Sequence, residues 1–354
     1  MDYLFIIQGE GRGHMTQSIS LSQALEENGH RVSSVYVGIS PGRKPPEFFI
    51  EYFSNKLRYF RSPNFILSAD KKGIHILYSF AYNLLRAPVY IFEIFRLLVI
   101  IRKTKADRII NFFDMIGGLA YLFSLSGKPF YVISHHFFLN HPDFHYPLRY
   151  PVQRMLLKTY AFICALGADK KIALSFTDNP DMPERKLFVT PPMLRKEITG
   201  MEPVTGSYIL VYILNSGFLA EIREYCMKNP GREVVVFTDG VTDTATPLDN
   251  LRIEPLSGDK FLAALKSCNM IICSAGFETI TEAAYLGKKV WVIPTRNHYE
   301  QECNAADAER AGVAKKINTF DAFSETEYPV NDHNTSTITF WFDQNPQKIL
   351  RLIT

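Results

Sequence analysis

Two apolar runs, Tyr3–Ile7 and Tyr208–Leu214, each lead straight into a loop of small residues, GEGRGH in the first half of the chain and NSGF in the second. A run that is apolar at every position, without alternation, marks a parallel strand covered by helices on both faces. After the first loop, Met15, Ile19, Leu21, Ala24 and Leu25 follow a helical period up to Gly29, and Val32–Val37 forms the next apolar run. Strand, glycine loop, helix, strand is a βαβ unit. Further strands are predicted at 108–113, 130–134, 171–175 and 187–190, with helices at 116–125 and 155–166. The second half restarts the alternation. Strands are predicted at 233–237, 270–273 and 289–293, and helices at 218–228, 260–267, 279–286 and 300–311. A last helix is predicted over 340–352, and the stretch 47–70 resists assignment.

A chain of 354 residues suits two domains. Pro191-Pro192 and Glu202-Pro203 punctuate a polar stretch, which sets the linker near 195–206. The expected fold class is α/β, with two Rossmann-like domains facing across a cleft: residues 1–195, then 206–339, with 340–354 packing back on the first. The net charge of +3, without RGG or zinc-finger spacing, gives no reason to expect nucleic acid. Five cysteines without a CxxC read as buried thiols in a reducing, cytoplasmic compartment, and Met1-Asp2 does not open a secretory leader. The segment Ile74–Lys103 is rich in Leu, Ile and Phe, but charges and Pro88 interrupt every window long enough to span a membrane. It reads either as a helical pair covering the sheet or as an interfacial surface flanked by Arg102, Lys103, Lys105 and Arg108.

The first loop is not a dinucleotide fingerprint. It reads G-x-G-x-G-H, and the second strand ends Tyr36-Val37-Gly38 with no carboxylate for a ribose. Gly11 and Gly13 let the backbone approach a ligand closely, and His14 stands where the loop meets the helix. Imidazole accepts a proton near neutral pH, so His14 is a candidate general base. Asp114, which follows the strand at 108–113, is the candidate carboxylate beside it, or else it caps the helix at Ile116; Glu10 is a second candidate. In the second half, Ser274-Ala275-Gly276 joins a buried strand to a helix, a geometry that cradles phosphate. Glu278 and Glu282 lie one turn apart on that helix, and either carboxylate offers two acceptor oxygens to the hydroxyls of a ribose.

The stretch Ser274-Ala275-Gly276-Phe277-Glu278-Thr279-Ile280-Thr281-Glu282-Ala283, followed by Gly287–Pro294 and Glu300-Gln301, resembles the donor-site signature of GT-B glycosyltransferases. That group contains the lipid-linked N-acetylglucosaminyltransferase of peptidoglycan synthesis and the UDP-glycosyltransferases. The GEGRGH loop resembles the group's N-terminal glycine loop with its histidine. The resemblance implies a hexosyl or N-acetylhexosaminyl transferase that uses a nucleotide-sugar donor, a UDP-sugar first among them. Glu282 would then hold the ribose, and Ser274, Gly276 and Thr279, beside Phe277, would contact the phosphates. Glu300 and Gln301 would read sugar hydroxyls. His14 would be the base and Asp114 its orienting carboxylate, with Asn215, Ser216 and Gly217 as the first loop of the donor domain. Inversion is implied. No DxD occurs, and no cofactor and no metal is expected.

The stretch Ser134–Tyr150 holds His135, His136, His141 and His145 at a spacing that fits no closed zinc site. It reads as a sugar-stacking or lid segment, or as a packed loop. The acceptor is expected to be a glycan or a lipid-linked molecule, with peripheral contact at the inner face of a membrane. The alternatives are a nucleotide-sugar 2-epimerase of the same fold and a non-catalytic nucleotide-sugar-binding subunit.

Overall fold

The computed structural model describes residues 1–64, 66, 75–213, 216–320, 323 and 332–354. The first lobe runs β1 (Asp2–Gln8), α1 (Arg12–Glu27), β2 (Arg31–Ile39), α2 (Glu47–Phe53), β3 (Leu57–Arg61), α3 (Ile76–Leu85), α4 (Ala87–Lys103), β4 (Arg108–Phe112) and α5 (Met115–Ser124). It continues with β5 (Phe130–Ser134), a 3-10 turn (His135–Asn140), α6 (Pro151–Cys164), β6 (Lys170–Leu174), β7 (Leu187–Thr190) and the short α7 (Lys196–Thr199). The second lobe runs β8 (Ile209–Tyr212), α8 (Leu219–Lys228), β9 (Val234–Thr238), β10 (Ala245–Leu248), β11 (Leu251–Pro255), α9 (Gly258–Ser267), β12 (Met270–Ser274) and α10 (Phe277–Tyr285). It ends with β13 (Lys289–Ile293), α11 (Tyr299–Arg310), β14 (Lys315–Lys316), α12 (Asp332–Phe342) and α13 (Gln347–Ile353).

Each lobe is built on one sheet. The first has the order β3-β2-β1-β4-β5-β6-β7, and every pairing in it is parallel. The second has the order β10-β11-β9-β8-β12-β13-β14, parallel except for the β10–β11 edge. Strands buried at every position, such as β5 and β9, are what two helix-covered faces demand. The strand order reverses between β1 and β4 in the first sheet and between β8 and β12 in the second. Ligands bind at such switch points, outside the carboxyl ends of the strands. The strand ends, loops and helix starts that follow these four strands carry His14, Asp114, Ser216-Gly217 and Ser274–Gly276.

Several expectations need correction. Helix α1 starts at Arg12, so His14 belongs to its first turn. The stretch 47–70 holds α2 and β3, with residue 65 and residues 67–70 outside the description. The helix expected over 340–352 is two segments, because Pro346 has no N–H to donate to the preceding turn. The edge strands β10 and β14, and β11 next to β10, were not expected. β10 is mostly exposed, and β14 is two lysines, so neither shows the buried signature.

The chain's end returns to the first lobe. Trp341, 3% exposed, donates from Nε1 to the Ser175 carbonyl at 3.0 Å. The Asn345 amide donates to the carbonyls of Pro191 and Pro192, both at 2.9 Å. The Lys170 ammonium and the Arg108 guanidinium donate to the last carbonyls, Leu352 and Thr354, at 2.6 Å each. Trp341→Ala should therefore cost about 3–5 kcal/mol, as for other buried Trp truncations. Denaturant unfolding measures it; a loss below about 1 kcal/mol would mean that the tail does not hold the first lobe.

Candidate active site

The site lies between the lobes, where two helix N-termini approach. Both α1 and α10 are capped by glycine, Gly11 and Gly276, with no side chain accepting from their first amides. By contrast, Asp114 caps α5 and Ser257 caps α9. Uncapped first-turn amides and the helix dipole together favour an anion. The approach is close. A Cβ on Gly13 would lie 3.2 Å from the Glu278 Cγ, so only glycine passes there without displacing that side chain.

His14 is 7% exposed, and its Nδ1 lies 3.2 Å from the Oε1 of Gln17, one turn along α1. The Gln17 amide nitrogen donates across the seam to Glu278 Oε1 at 2.6 Å. A carbonyl oxygen only accepts, so the His14 proton sits on Nδ1 and Nε2 keeps its lone pair. Burial pushes the His14 pKa down to about 4, the neighbouring His135 pushes the same way, and Glu300 and Gln17 pull it back. The ring is neutral at pH 7 and able to accept a proton.

Asp114 is not the partner of that ring. Its Oδ1 accepts from the Gly117 amide at 2.9 Å and its Oδ2 from the Ser62 hydroxyl at 2.7 Å. Gly38 is what lets the carboxylate sit there, since a Cβ on Gly38 would come within 2.5 Å of Asp114 Oδ2. Burial raises the Asp114 pKa to about 6, held back by the Gly117 amide and the Ser62 hydroxyl. Glu10 accepts from the Ser40 amide at 2.6 Å and is likewise occupied. The group that orients His14 is Gln17, and the carboxylate whose charge favours its protonated form is Glu300. Between Asp114 and β4, Phe113 takes a left-handed φ of 59°, which lays its ring flat against His136 at 3.9 Å.

The histidine segment divides. His141 and His145 bond to nearby backbone: His141 Nε2 donates to the Pro180 carbonyl at 3.0 Å and His145 Nδ1 to the Asp143 carbonyl at 2.9 Å. His135 and His136 face the second lobe, their Nε2 atoms 3.6 Å and 3.2 Å from the two carboxylate oxygens of Glu300. These three residues could hold a metal, their ligand atoms lying within 4.8 Å of one another. The His135 ring also stacks on Phe277 at 4.6 Å, and Phe277 packs on Phe176 at 4.5 Å.

In the second lobe, Ser274 ends β12 and Thr279 sits half-buried in the first turn of α10. Glu282 is held in a bidentate ion pair by Arg195, at 2.6 Å and 2.7 Å, both side chains largely buried. Gln301 Oε1 accepts from the Thr295 amide at 2.8 Å, and Asn304 donates to the Ala275 carbonyl at 3.0 Å, which fixes the loop before α10. Ser216 and Gly217 open a 3-10 turn ahead of α8, and Asn215 lies outside the described residues. Sequence reading missed Gln17, Arg195 and Asn304. Gln17 alone carried a local signal, its spacing of one turn from His14.

Burial raises Glu278 to about 8, with the nearby Glu282 adding to the rise and Gln17 and Arg195 opposing it. The carboxyl is protonated in the fold below that value, whereas an ordinary glutamate ionises near 4.5. Its contribution is therefore fully present below pH 4.5 and lost as pH rises through about 8. His14 and His135, lowered from 6.5 to about 4, act in the opposite sense: their contribution is present above 6.5 and lost as pH falls through about 4. Glu278→Gln should flatten the alkaline fall in thermal stability, worth on the order of a few kcal/mol, and leave the acid fall intact. Melting curves from pH 4 to about 9 read this directly; an unchanged alkaline limb would contradict it.

A comparison with curated proteins finds no match. Among solved structures, the chain is similar to the glycotransferase of kitacinnamycin, at 14% identity and TM-score 0.64, covering 100% of this chain and 99% of that one. It is similar to S. aureus MnaA determined with UDP, at 16% identity and TM-score 0.61, covering 100% and 97%. It is also similar to Acinetobacter baumannii MurG, at 15% identity and TM-score 0.55, covering 100% and 99%. At such identities the likeness speaks for the fold, which is GT-B: two facing Rossmann-like lobes with the switch points of both sheets at the cleft. With the sequence matching glycosyl transferase family 1 over residues 1–326, the chain belongs to that family.

Proposed function

We propose that this protein transfers a hexosyl or N-acetylhexosaminyl group from a UDP-sugar to a hydroxyl acceptor, with inversion and without a metal in the chemical step. The observation that carries the reading is the neutral imidazole of His14 between two glycine-capped helix N-termini. The donor diphosphate rests on the amides at Ser274–Thr279, with Ser216 and Gly217 near its other side. His14 Nε2 takes the acceptor proton as the acceptor oxygen attacks the anomeric carbon. The C–O bond to the diphosphate breaks, and the helix termini stabilise the leaving charge. Arrival of the anionic donor raises the His14 pKa from its low resting value, which strengthens it as a base. Glu282 receives the ribose hydroxyls once Arg195 lets go of it, and the freed guanidinium is then beside the diphosphate. Glu300 and Gln301 read the sugar hydroxyls.

A panel of nucleotide-sugars tested for thermal shift, then for turnover, examines the reading. His14→Ala should lower kcat by about 10²–10⁴-fold while donor binding persists. Glu282→Gln should weaken donor binding by about tenfold or more. Full turnover by the His14 variant would remove it from the mechanism. Donor binding without turnover in the wild type, over a broad acceptor set, would favour a non-catalytic nucleotide-sugar-binding subunit.

The acceptor is proposed to be a lipid-linked molecule or glycan met at the inner face of a membrane, and the five buried free cysteines suit the cytoplasm. No helix among the described residues is long and apolar enough to cross a membrane. The support comes from one face of the first lobe, where α4 packs on both α3 and α5 and α5 packs on α6. Phe80, Leu85, Phe92, Phe95, Phe123 and Phe162 are all exposed on these helices. α3, α5 and α6 contain no acidic residue, and the one on α4, Glu93, is buried and paired with Arg96. Arg86, Arg102, Lys103, Arg154 and Lys158 border the face. Apolar side chains fringed by cations suit an anionic lipid surface. The protein should sediment with anionic vesicles and much less with neutral ones, and Phe92→Glu with Phe95→Glu should return most of it to the supernatant. Equal recovery with and without vesicles would refute the contact.

A further inference from the structure

Between the lobes lies a group of side chains that the proposed transfer reaction does not use as a set. His135 and His136 come from the 3-10 turn after β5 in the first lobe, and Glu300 from the first turn of α11 in the second. Their ligand atoms meet from different directions, with Nε2-to-oxygen distances of 3.6 Å and 3.2 Å. A zinc ion bound tetrahedrally at about 2.0–2.1 Å from each ligand holds its ligand atoms about 3.3–3.4 Å apart; the two nitrogen-to-oxygen distances, each to a different oxygen of Glu300, are close to that, and the three ligand atoms as a set lie within 4.8 Å, so a small contraction closes them on an ion.

The polar atoms here are unsatisfied in a way that a bound cation would mend. His135 Nδ1 and Nε2 and His136 Nε2 are buried without a hydrogen-bond partner, and their approach to the Glu300 carboxylate is an ion-pair contact at 3.6 Å and 3.2 Å. Buried ring nitrogens in native proteins are almost always partnered. His136 Nδ1 meets the Ser134 hydroxyl at 2.7 Å, and that hydroxyl also accepts from the His136 amide at 3.2 Å. A proton held on Nδ1 by Ser134 leaves the Nε2 lone pair aimed into the site, the outer-shell arrangement that metal-binding histidines use. A cavity of about 10 Å³, lined by His135, His136, Glu300 and Cys303 among others, has room for roughly one water-sized occupant.

We propose that His135, His136 and Glu300 form a transition-metal site that bridges the two lobes, and that an ion bound there excludes the donor sugar. Two imidazoles and one carboxylate select zinc and its neighbours over magnesium or calcium, which prefer all-oxygen shells. Three protein ligands leave a fourth position open. The His14 ring lies beside the site, its centroid 6.2 Å from that of His135 and 5.8 Å from that of His136. Because the ligands belong to opposite lobes, the ion ties the cleft shut. Exclusion of the donor rests on the reading of Glu300 as a sugar-hydroxyl ligand; the metal site itself does not.

Metal-stripped protein is dialysed against Zn²⁺, metal content is measured by mass spectrometry, and affinity is measured by calorimetry. One zinc per chain is expected, with affinity falling about tenfold or more in both His136→Ala and Glu300→Gln. Their melting curves confirm that the variants are folded. Should either variant fail to fold, Co²⁺ added to the wild type provides the second measurement, with visible ligand-field bands of a four- or five-coordinate site expected. No stoichiometric zinc in the wild type, unchanged affinity in either folded variant, or a Co²⁺ spectrum of a six-coordinate aqua ion overturns the site. Zinc should also raise the donor KM while leaving kcat recoverable at high donor. Stoichiometric zinc with an unchanged donor KM overturns the exclusion and the role given to Glu300, while the metal site stands.

Discussion

Two carboxylates one helical turn apart on α10, Glu278 and Glu282, are buried against the opposite lobe, and the arrangement of the cleft depends on how they are satisfied. A buried carboxylate is costly unless it is neutralised or hydrogen-bonded. The chain uses both remedies: Glu278 is raised toward neutrality and accepts from Gln17, while Glu282 is held in a bidentate pair by Arg195. Gln17 belongs to the first lobe and Arg195 to the segment that joins the lobes. Two of the contacts across the cleft are therefore made by the same short helix that begins at the Ser274–Gly276 loop.

The polar character of the cleft follows from the helix ends that border it. Glycine caps at α1 and α10 leave first-turn amides without side-chain acceptors, and the two dipoles add at the point where the lobes meet. Beside those ends, His14 and His135 lie near 4 because they are buried and because each has another histidine next to it, His135 beside His14 and His136 beside His135. Gln17 sets the tautomer of His14 by accepting from Nδ1 while its own amide is committed to Glu278. An amide, which cannot titrate, thus stands between the imidazole and the carboxyl, and the two groups titrate without sharing a proton.

Much of the architecture was legible from local pattern. β5 and β7 occupy the residues read as strands, 130–134 and 187–190, because a strand covered on both faces is apolar at every position and bounded by turn residues. Patterns of mixed character were harder. β10 is exposed, β14 is two lysines, and the one helix expected over 340–352 takes in the end of α12 and nearly all of α13, which Pro346 separates. At the site, the glycines and His14 stood out through composition and spacing. The cap made by Asp114 was one of the two readings its position allowed, and the structure chose it because Gly38 leaves room for the carboxylate beside Ser62.

The sequence by itself determined two α/β lobes, their small-residue loops and the strand–loop–helix motif at Ser274–Gly276, since each depends on residues within a turn or two of one another. Only the tertiary structure decided which side chains face each other across the cleft. Gln17 meets Glu278, Arg195 meets Glu282, and His135 and His136 meet Glu300, all pairings between residues far apart in the chain. No local propensity encodes such pairs. They arise because two independently formed sheets dock at their carboxyl edges, and a buried polar group must then find its partner in whichever lobe lies opposite.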